Sequence, residues 1–291
     1  MMCKCPILDR VSAVDKTDFS REPWSIVRCR ETDFVFLANP PEYSQLETEF
    51  AWEKTSSKER IRREKDEPVI SRLSSFAKKV KSIVSPGRNK MASVAIGLLQ
   101  AADSAESLSI LDIGSGCGSL LVDMHNRFAC LGRKLCPIGI EVSRDLASRS
   151  QEKVAAVGGR IICSNAMDGA SELQHNSVHL VLMSSFLEHE RQPLKLLKRL
   201  QPILTSEGVI VLKVPNFASW NRVLRGRNWC GFRFPDHVNY FTPKTLERLA
   251  KEAGFRVSRQ NFVDKFPLSD NMYAVLTRAR SGFIQPVDQN R

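Results

Sequence analysis

The run Ser109-Ile110-Leu111-Asp112-Ile113-Gly114-Ser115-Gly116-Cys117-Gly118 constrains the fold more than any other stretch of this chain. It is apolar at first, ends in an acid and then breaks into a loop with glycine at alternate positions. So short an apolar run fits a strand buried on both faces, and the glycines let a ligand approach the backbone. A strand that turns through such a loop into a helix holds a nucleotide-like cofactor at the carboxyl edge of a parallel sheet. Asp112 narrows the choice. A carboxylate at the strand end repels the pyrophosphate of a dinucleotide across a few ångströms of low dielectric, and it suits a cationic cofactor that carries no phosphate. The third glycine of a dinucleotide loop is also missing, because position 119 is Ser.

Downstream, strand and helix patterns alternate. The apolar runs Leu108–Ile113, Cys136–Glu141, Arg160–Ser164, Val178–Ser184 and Val209–Val214 read as strands, and Arg144–Val157 and Pro193–Leu204 read as helices. This alternation predicts an α/β fold, a Rossmann-like doubly wound and mostly parallel sheet covered on both faces. The handedness of its crossovers brings every strand's carboxyl end to one rim. Glu141 ends the second strand, where an acid can accept both ribose hydroxyls of an adenosine cofactor. Asn165, Ala166 and Met167 follow the third strand, where they can meet the adenine edge and face.

The flanks differ in composition. Residues 1–50 contain short strand-like pieces, and Cys5-Pro6-Ile7-Leu8 and Cys29-Arg30-Glu31-Thr32 have the outline of two zinc-ribbon knuckles. Tetrahedral zinc needs four ligands, and Leu8 and Thr32 stand where the second thiolates belong, so a metal-free module is expected. Asn39-Pro40-Pro41-Glu42-Tyr43 reads as a turn. Residues 51–90 are charged and helical in pattern, broken at Pro68, and read as a linker and lid. The main domain is expected over 91–280, with a substrate-covering segment at 216–242 and a flexible tail at 281–291. No apolar run is long enough to span a bilayer, and no signal-type region follows Met1, so a cytoplasmic protein with no membrane partner is expected. The eight cysteines show no disulfide spacing. A net charge of +11, concentrated in residues 54–90 and at Arg222, Arg225, Arg227 and Arg233, keeps a nucleic-acid partner open without favouring it, since no RNA-binding module is recognisable.

Taken together, Leu111-Asp112-Ile113-Gly114-Ser115-Gly116-Cys117-Gly118, Glu141, Phe186-Leu187-Glu188-His189, Leu204-Thr205-Ser206-Glu207-Gly208 and Val214-Pro215-Asn216 resemble the signatures of class I S-adenosylmethionine-dependent methyltransferases. The segment Phe234-Pro235-Asp236-His237-Val238-Asn239-Tyr240-Phe241-Thr242-Pro243 is similar to one found in the branch that includes ubiquinone-biosynthesis O-methyltransferases, many of which carry an N-terminal zinc ribbon. The resemblance implies that S-adenosylmethionine is held by Asp112, Gly114, Ser115, Gly116, Gly118, Glu141, Asn165, Ala166 and Met167. It also implies methyl transfer to a small-molecule acceptor at oxygen or carbon, with no metal. Such an acceptor must shed a proton, which points to a histidine. His189, beside Glu188 on the rim, is the preferred base with Glu188 orienting it, and His237 is an acceptor contact or the alternative base. An RNA-modifying or RNA-binding protein, and a cofactor-binding pseudoenzyme acting through a partner, are the other readings.

Overall fold

The computed structural model describes residues 1–47, 90–101 and 107–279, together with Thr55, Ile61 and Lys65. Most of the helical linker expected over 51–90, and the tail expected over 281–291, lie outside the described residues. Four strands come first: β1 (Met2–Cys5), β2 (Arg10–Lys16), β3 (Ile26–Cys29) and β4 (Val35–Leu37). Helices α1 (Tyr43–Glu47) and α2 (Lys90–Ala101) lead into the alternating part. That part runs β5 (Ser107–Ile113), α3 (Ser119–Ala129), β6 (Lys134–Glu141), α4 (Arg144–Ala155), β7 (Arg160–Cys163), α5 (Ala166–Ser171), β8 (Val178–Ser184), α6 (Pro193–Leu200) and β9 (Leu204–Pro215). The chain closes with α7 (Trp220–Arg225), β10 (Asn239–Tyr240), α8 (Pro243–Glu252), β11 (Phe255–Arg259) and β12 (Asn271–Arg278).

Seven strands form one sheet in the order β11-β12-β9-β8-β5-β6-β7. The pairs β5–β6, β5–β8, β6–β7 and β8–β9 are parallel, and β12 runs antiparallel to both neighbours. Alternate residues of the middle strands feed two separate cores. Leu111, Val181 and Leu212 pack on one face with α6 and α8, while Ile110, Leu182 and Val211 pack on the other with α2 and α3. Both faces are covered, which is why these strands read as continuous apolar runs. Helix α6 shows the covering force: Leu194, Leu196, Leu197 and Leu200 are buried, each worth roughly 1.5–3 kcal/mol of transfer free energy.

Two boundaries differ from the sequence reading. The helix expected to reach Leu204 stops at Leu200, and the strand expected to begin at Val209 begins at Leu204. The cause is Leu204, which is fully buried and pairs with Val178, so the strand starts early and absorbs the mismatch as a register shift before Leu180–Val209. At α8 the punctuation holds. Thr242 and Thr245 form a reciprocal cap, Pro243 opens the helix, and Gly254 closes it at φ 77°.

The N-terminal strands form a second, antiparallel sheet, β1-β2-β3-β4-β10. Its last strand comes from the far end of the chain: Asn239 pairs with Phe36 and Tyr240 with Val35. Phe217, Trp229, Phe232 and Tyr240 pack with Ile26, Val35 and Leu37 into a core of their own. The segment around 216–242 is thereby built onto the N-terminal strands. Among the described residues, no helix is long and apolar enough to cross a membrane.

Candidate active site

The carboxyl ends of β5, β6 and β8 open into a cleft of about 730 Å³, within the range usual for small ligands. Its floor is the glycine loop. Gly114 and Gly116 take φ of 71° and 53°, and a Cβ on Gly114 would lie 2.6 Å from Phe186 Cδ2, so the loop needs glycine there. The Gly116 amide donates to Glu141 Oε2 at 2.8 Å and the Ser143 amide to Oε1 at 2.9 Å. Glu141 therefore ties the loop to β6 and lines the cleft. Asp112 is 3% exposed, and its Oδ1 has no hydrogen-bond partner among the described residues. Burial, and then the charge of Glu141, push its carboxyl up to about 8. Asp112 thus sits buried at the end of β5, two residues before Gly114, and is not among the residues that line the cleft.

The other expected cofactor residues divide. Asn165, Ala166 and Met167 line the cleft, and the Asn165 side chain caps α5 by accepting the Asp168 amide at 2.9 Å. Ser115 is buried against β6, with its Oγ 2.6 Å from where a Cβ on Gly139 would lie. Gly118 faces α4: a Cβ there would meet Val154 Cγ2 at 2.8 Å and Ser150 Cβ at 3.2 Å. Its glycine serves the packing of α3 on α4, and Gly118 is not among the residues that line the cleft.

His189 lines the same cleft. Its Nδ1 is 2.9 Å from Asp236 Oδ1 and 2.9 Å from the Asp236 carbonyl oxygen, so Nδ1 carries a proton and donates it there. Burial lowers the affinity of the ring for a second proton, but the charge and hydrogen bond of Asp236, helped by Glu188, outweigh it and bring the pKa to about 9. Asp236 is held well below the usual carboxylate range, since the charge and hydrogen bond of His189, with the charge of Arg233, outweigh its burial. The expected orienting role of Glu188 is thus corrected: its Oε1 is 4.0 Å from His189 Nε2, and the carboxylate in hydrogen-bond contact is Asp236. Glu188 turns inward, 1% exposed, and burial pushes its pKa up. His237 is corrected as well. It lies against His189 edge to face, ring centroids 4.7 Å apart, but it is buried and donates from Nδ1 to the Gly231 carbonyl at 2.8 Å. Burial, then the charge of His189, keep it neutral, and it anchors the loop instead of facing an acceptor. Donor atoms of Glu188, His189 and His237 lie within 4.8 Å of one another, the group among the described residues with metal-ligand spacing.

Several cleft residues were not legible as such. Tyr43, from the stretch read as a turn, lines the cleft and donates its hydroxyl to Glu190 in a short hydrogen bond, next to an Arg191–Glu42 ion pair at 2.7 Å. Lys213 on β9 and Ser185, which leaves β8 at φ 57°, also line it. The signal for Asp236 was its place next to His237, in a segment otherwise read for its histidine and helix cap.

The rim belongs to an α/β fold that gathers a glycine loop and strand-end acids at the carboxyl ends of parallel strands. The chain belongs to the methyltransferase domain family, whose model matches residues 68–260, well over half of its 291 residues. It is an S-adenosylmethionine-dependent methyltransferase with a Rossmann-like fold, and S-adenosylmethionine is its cofactor. A solved S-adenosylmethionine-dependent methyltransferase from Clostridium acetobutylicum is 12% identical, with a TM-score of 0.52 over 71% of this chain and 99% of that one. One from Archaeoglobus fulgidus is 18% identical, with a TM-score of 0.46 over 70% and 100%. Magnesium protoporphyrin IX methyltransferase from Synechocystis, solved with S-adenosylhomocysteine, is 14% identical, with a TM-score of 0.47 over 71% and 95%. No curated protein sequence matches the chain.

Proposed function

We propose that this methyltransferase acts on a hydroxyl or acidic carbon of a small-molecule acceptor, and that His189 takes the proton the acceptor loses. The observation that carries this reading is the Asp236–His189 pair, which lines the same cleft as the glycine loop, with Nδ1 spent on Asp236. When bound, S-adenosylmethionine supplies a methyl group already activated by its positive sulfur. The work of this chain is then alignment and proton removal. Asp112 faces the cationic amino-acid end, Glu141 accepts the ribose hydroxyls, and Asn165, Ala166 and Met167 border the adenine, with Gly114 and Gly116 allowing close approach. The acceptor lies between Phe186, His189 and Lys213 and is bordered by Tyr43. As the new bond to the methyl carbon forms and the carbon–sulfur bond breaks, the acceptor proton passes to His189 Nε2. Asp236 holds the ring and stabilises the imidazolium.

The resemblance of Phe234–Thr242 to the ubiquinone-biosynthesis branch supports an oxygen acceptor, and its supply of Asp236 supports its reading as the substrate-covering segment. We keep the division into 1–50, 51–90, 91–280 and 281–291 as a working description. Residues 1–50 fit a zinc ribbon that has lost its metal. Each knuckle turn survives, with Asp9 and Asp33 at φ 54° and 58° four residues after Cys5 and Cys29, and Thr32 Oγ1 lies 3.8 Å from Cys5 Sγ.

The test is incubation of the purified protein with cell extract and methyl-labelled cofactor. The label is expected in a small molecule, with transfer lost in His189→Asn while cofactor binding is kept. Label in RNA would overturn the small-molecule reading. Full activity in His189→Asn would overturn the role of the base.

A further inference from the structure

The face that α7 and the loop between β11 and β12 present to solvent is apolar for no reason that the core or the cleft supplies. Trp220, Val223 and Leu224, at i, i+3 and i+4 of α7, are 61%, 61% and 80% exposed. In the loop, Phe262, Val263 and Phe266 are 64%, 67% and 40% exposed, and the two phenyl rings meet edge to face at 5.4 Å. The two segments make one surface, since the Trp220 amide donates to the Pro267 carbonyl at 2.8 Å and Asn221 Nδ2 to the Leu268 carbonyl at 3.3 Å. Single exposed apolar side chains are ordinary. A cluster on two hydrogen-bonded segments marks a docking surface.

Charge identifies what docks. Residues 216–234 contain Arg222, Arg225, Arg227 and Arg233 and no acid. Residues 256–270 contain Arg256, Arg259 and Lys265 and two acids: Asp264 is 2% exposed and paired with Lys90 and Arg259 at 3.1 Å each, and Asp270 accepts from Trp229 Nε1 at 2.7 Å. Arg222 and Arg233 turn inward, onto Phe217 and Asp236, and the charges left facing solvent, Arg227, Arg256 and Lys265, are positive. Trp and Phe beside Leu and Val, set among Arg and Lys, are the composition of a surface that sits in the headgroup layer of an anionic bilayer. Single-stranded RNA would also use cations and aromatic rings, but it stacks on rings and gains little from Val223, Leu224 and Val263.

We propose that this face docks the protein on an anionic lipid surface. Docking of this kind is attachment, not spanning, and a search for long apolar runs does not detect it. Topology adds a consequence. β12 begins at Asn271, which pairs with Pro215 at the end of β9, so α7 and the loop stand on the carboxyl rim of the sheet, as the cleft does. A protein lying on this face turns that rim toward the lipid, which suits an acceptor dissolved in the bilayer. This last step rests on the methyl-transfer reading, whereas the docking does not.

The experiment is co-sedimentation of the full chain with vesicles of phosphatidylcholine alone and of phosphatidylcholine mixed with phosphatidylglycerol. Binding to the mixed vesicles is expected to be roughly tenfold tighter or more and to weaken with salt. Leu224→Asp combined with Phe262→Ser is expected to abolish it, and Lys265→Glu to weaken it. These side chains are exposed, so cofactor affinity and melting temperature are expected to stay unchanged, which separates lost docking from lost folding and from failure of the methyl-transfer reading. Equal binding to both vesicle types, no binding, or full binding by the double variant would overturn the proposal. Saturable RNA binding, or self-association, that the double variant removes would overturn it too, by assigning the face to nucleic acid or to a second copy.

Discussion

Cofactor binding should release a proton from Asp112. Its carboxyl has a pKa of about 8 in the free protein because it is buried beside Glu141, so at pH 7 about nine molecules in ten hold it neutral. A cationic cofactor above the loop favours the ionised form, and ionising the group at pH 7 draws on the binding energy. That cost vanishes as pH rises through 8. Affinity should therefore climb between about pH 6 and 8 with a slope approaching tenfold per unit. Above that range an α-amino group, with a reference pKa of about 7.7–8.0, loses its own charge and binding should weaken again. Calorimetry with S-adenosylhomocysteine, run in two buffers of different ionisation enthalpy, measures the released proton directly. In Asp112→Asn the proton release and the ascending limb should both disappear, and at pH 8 affinity should fall by about 1.5–3 kcal/mol, the value of a hydrogen bond to a charged group. A wild-type affinity flat between pH 6 and 8, with no proton released, would refute the placement of Asp112 under the cationic end.

Glu141→Ala unties Gly116 and Ser143 and removes the ribose acceptor, so cofactor affinity should drop by at least about 1.5–3 kcal/mol; calorimetry showing no change sinks the assignment. The base form of His189 accumulates as pH rises through about 9, a value raised by Asp236, so Asp236→Asn should move the rising limb of turnover to lower pH and lower its plateau while leaving cofactor affinity intact. A limb that does not move argues against this base. Asn239 Nδ2 donates to the Leu187 and Glu190 carbonyls at 3.0 and 2.6 Å in the interior, so Asn239→Ala should cost about 1–3 kcal/mol in thermal unfolding. Elemental analysis should find less than one zinc per chain, and folding should survive a chelator, because Leu8 and Thr32 offer no thiolate; stoichiometric zinc would overturn the metal-free ribbon.

The central sheet was legible because both of its faces are covered. Ile110-Leu111 and Leu180-Val181-Leu182 carry apolar side chains to two cores at once, and no loop or surface helix shows such a run. The edges were not legible. β11 reads Phe-Arg-Val-Ser-Arg, with only Phe255 buried, and β2 buries two of seven residues, so neither stands out from charged loop. β10 is two residues long, below the reach of any periodicity. The cofactor side of the site followed the legible strands, since Glu141, Asn165 and the glycine loop sit at their ends. Gly118 went astray because a positive φ of 72° can serve packing as well as ligand approach, and only the position of α4 tells which.

The partner of His189 was not legible for a different reason. Glu188 is next to His189 in sequence, but neighbours in a tight turn point apart, and the Glu188 carbonyl is fixed by the amides of Val238 and Asn239 at 2.8 and 3.0 Å while its carboxylate goes inward. The carboxylate that reaches His189 is 47 residues away, and its loop is placed by β10, whose sheet partner is β4. Leu37 reinforces the joint by donating its amide to the Val238 carbonyl at 2.9 Å. The N-terminal module thus acts on the base without touching it. Loosening β4 would leave the glycine loop and Glu141 in place, because those belong to the other sheet, and would free the loop that carries Asp236. The proposed cofactor site and the carboxylate that holds the proposed base are in this way carried by two different sheets, and only the seven-stranded one announces itself in the sequence.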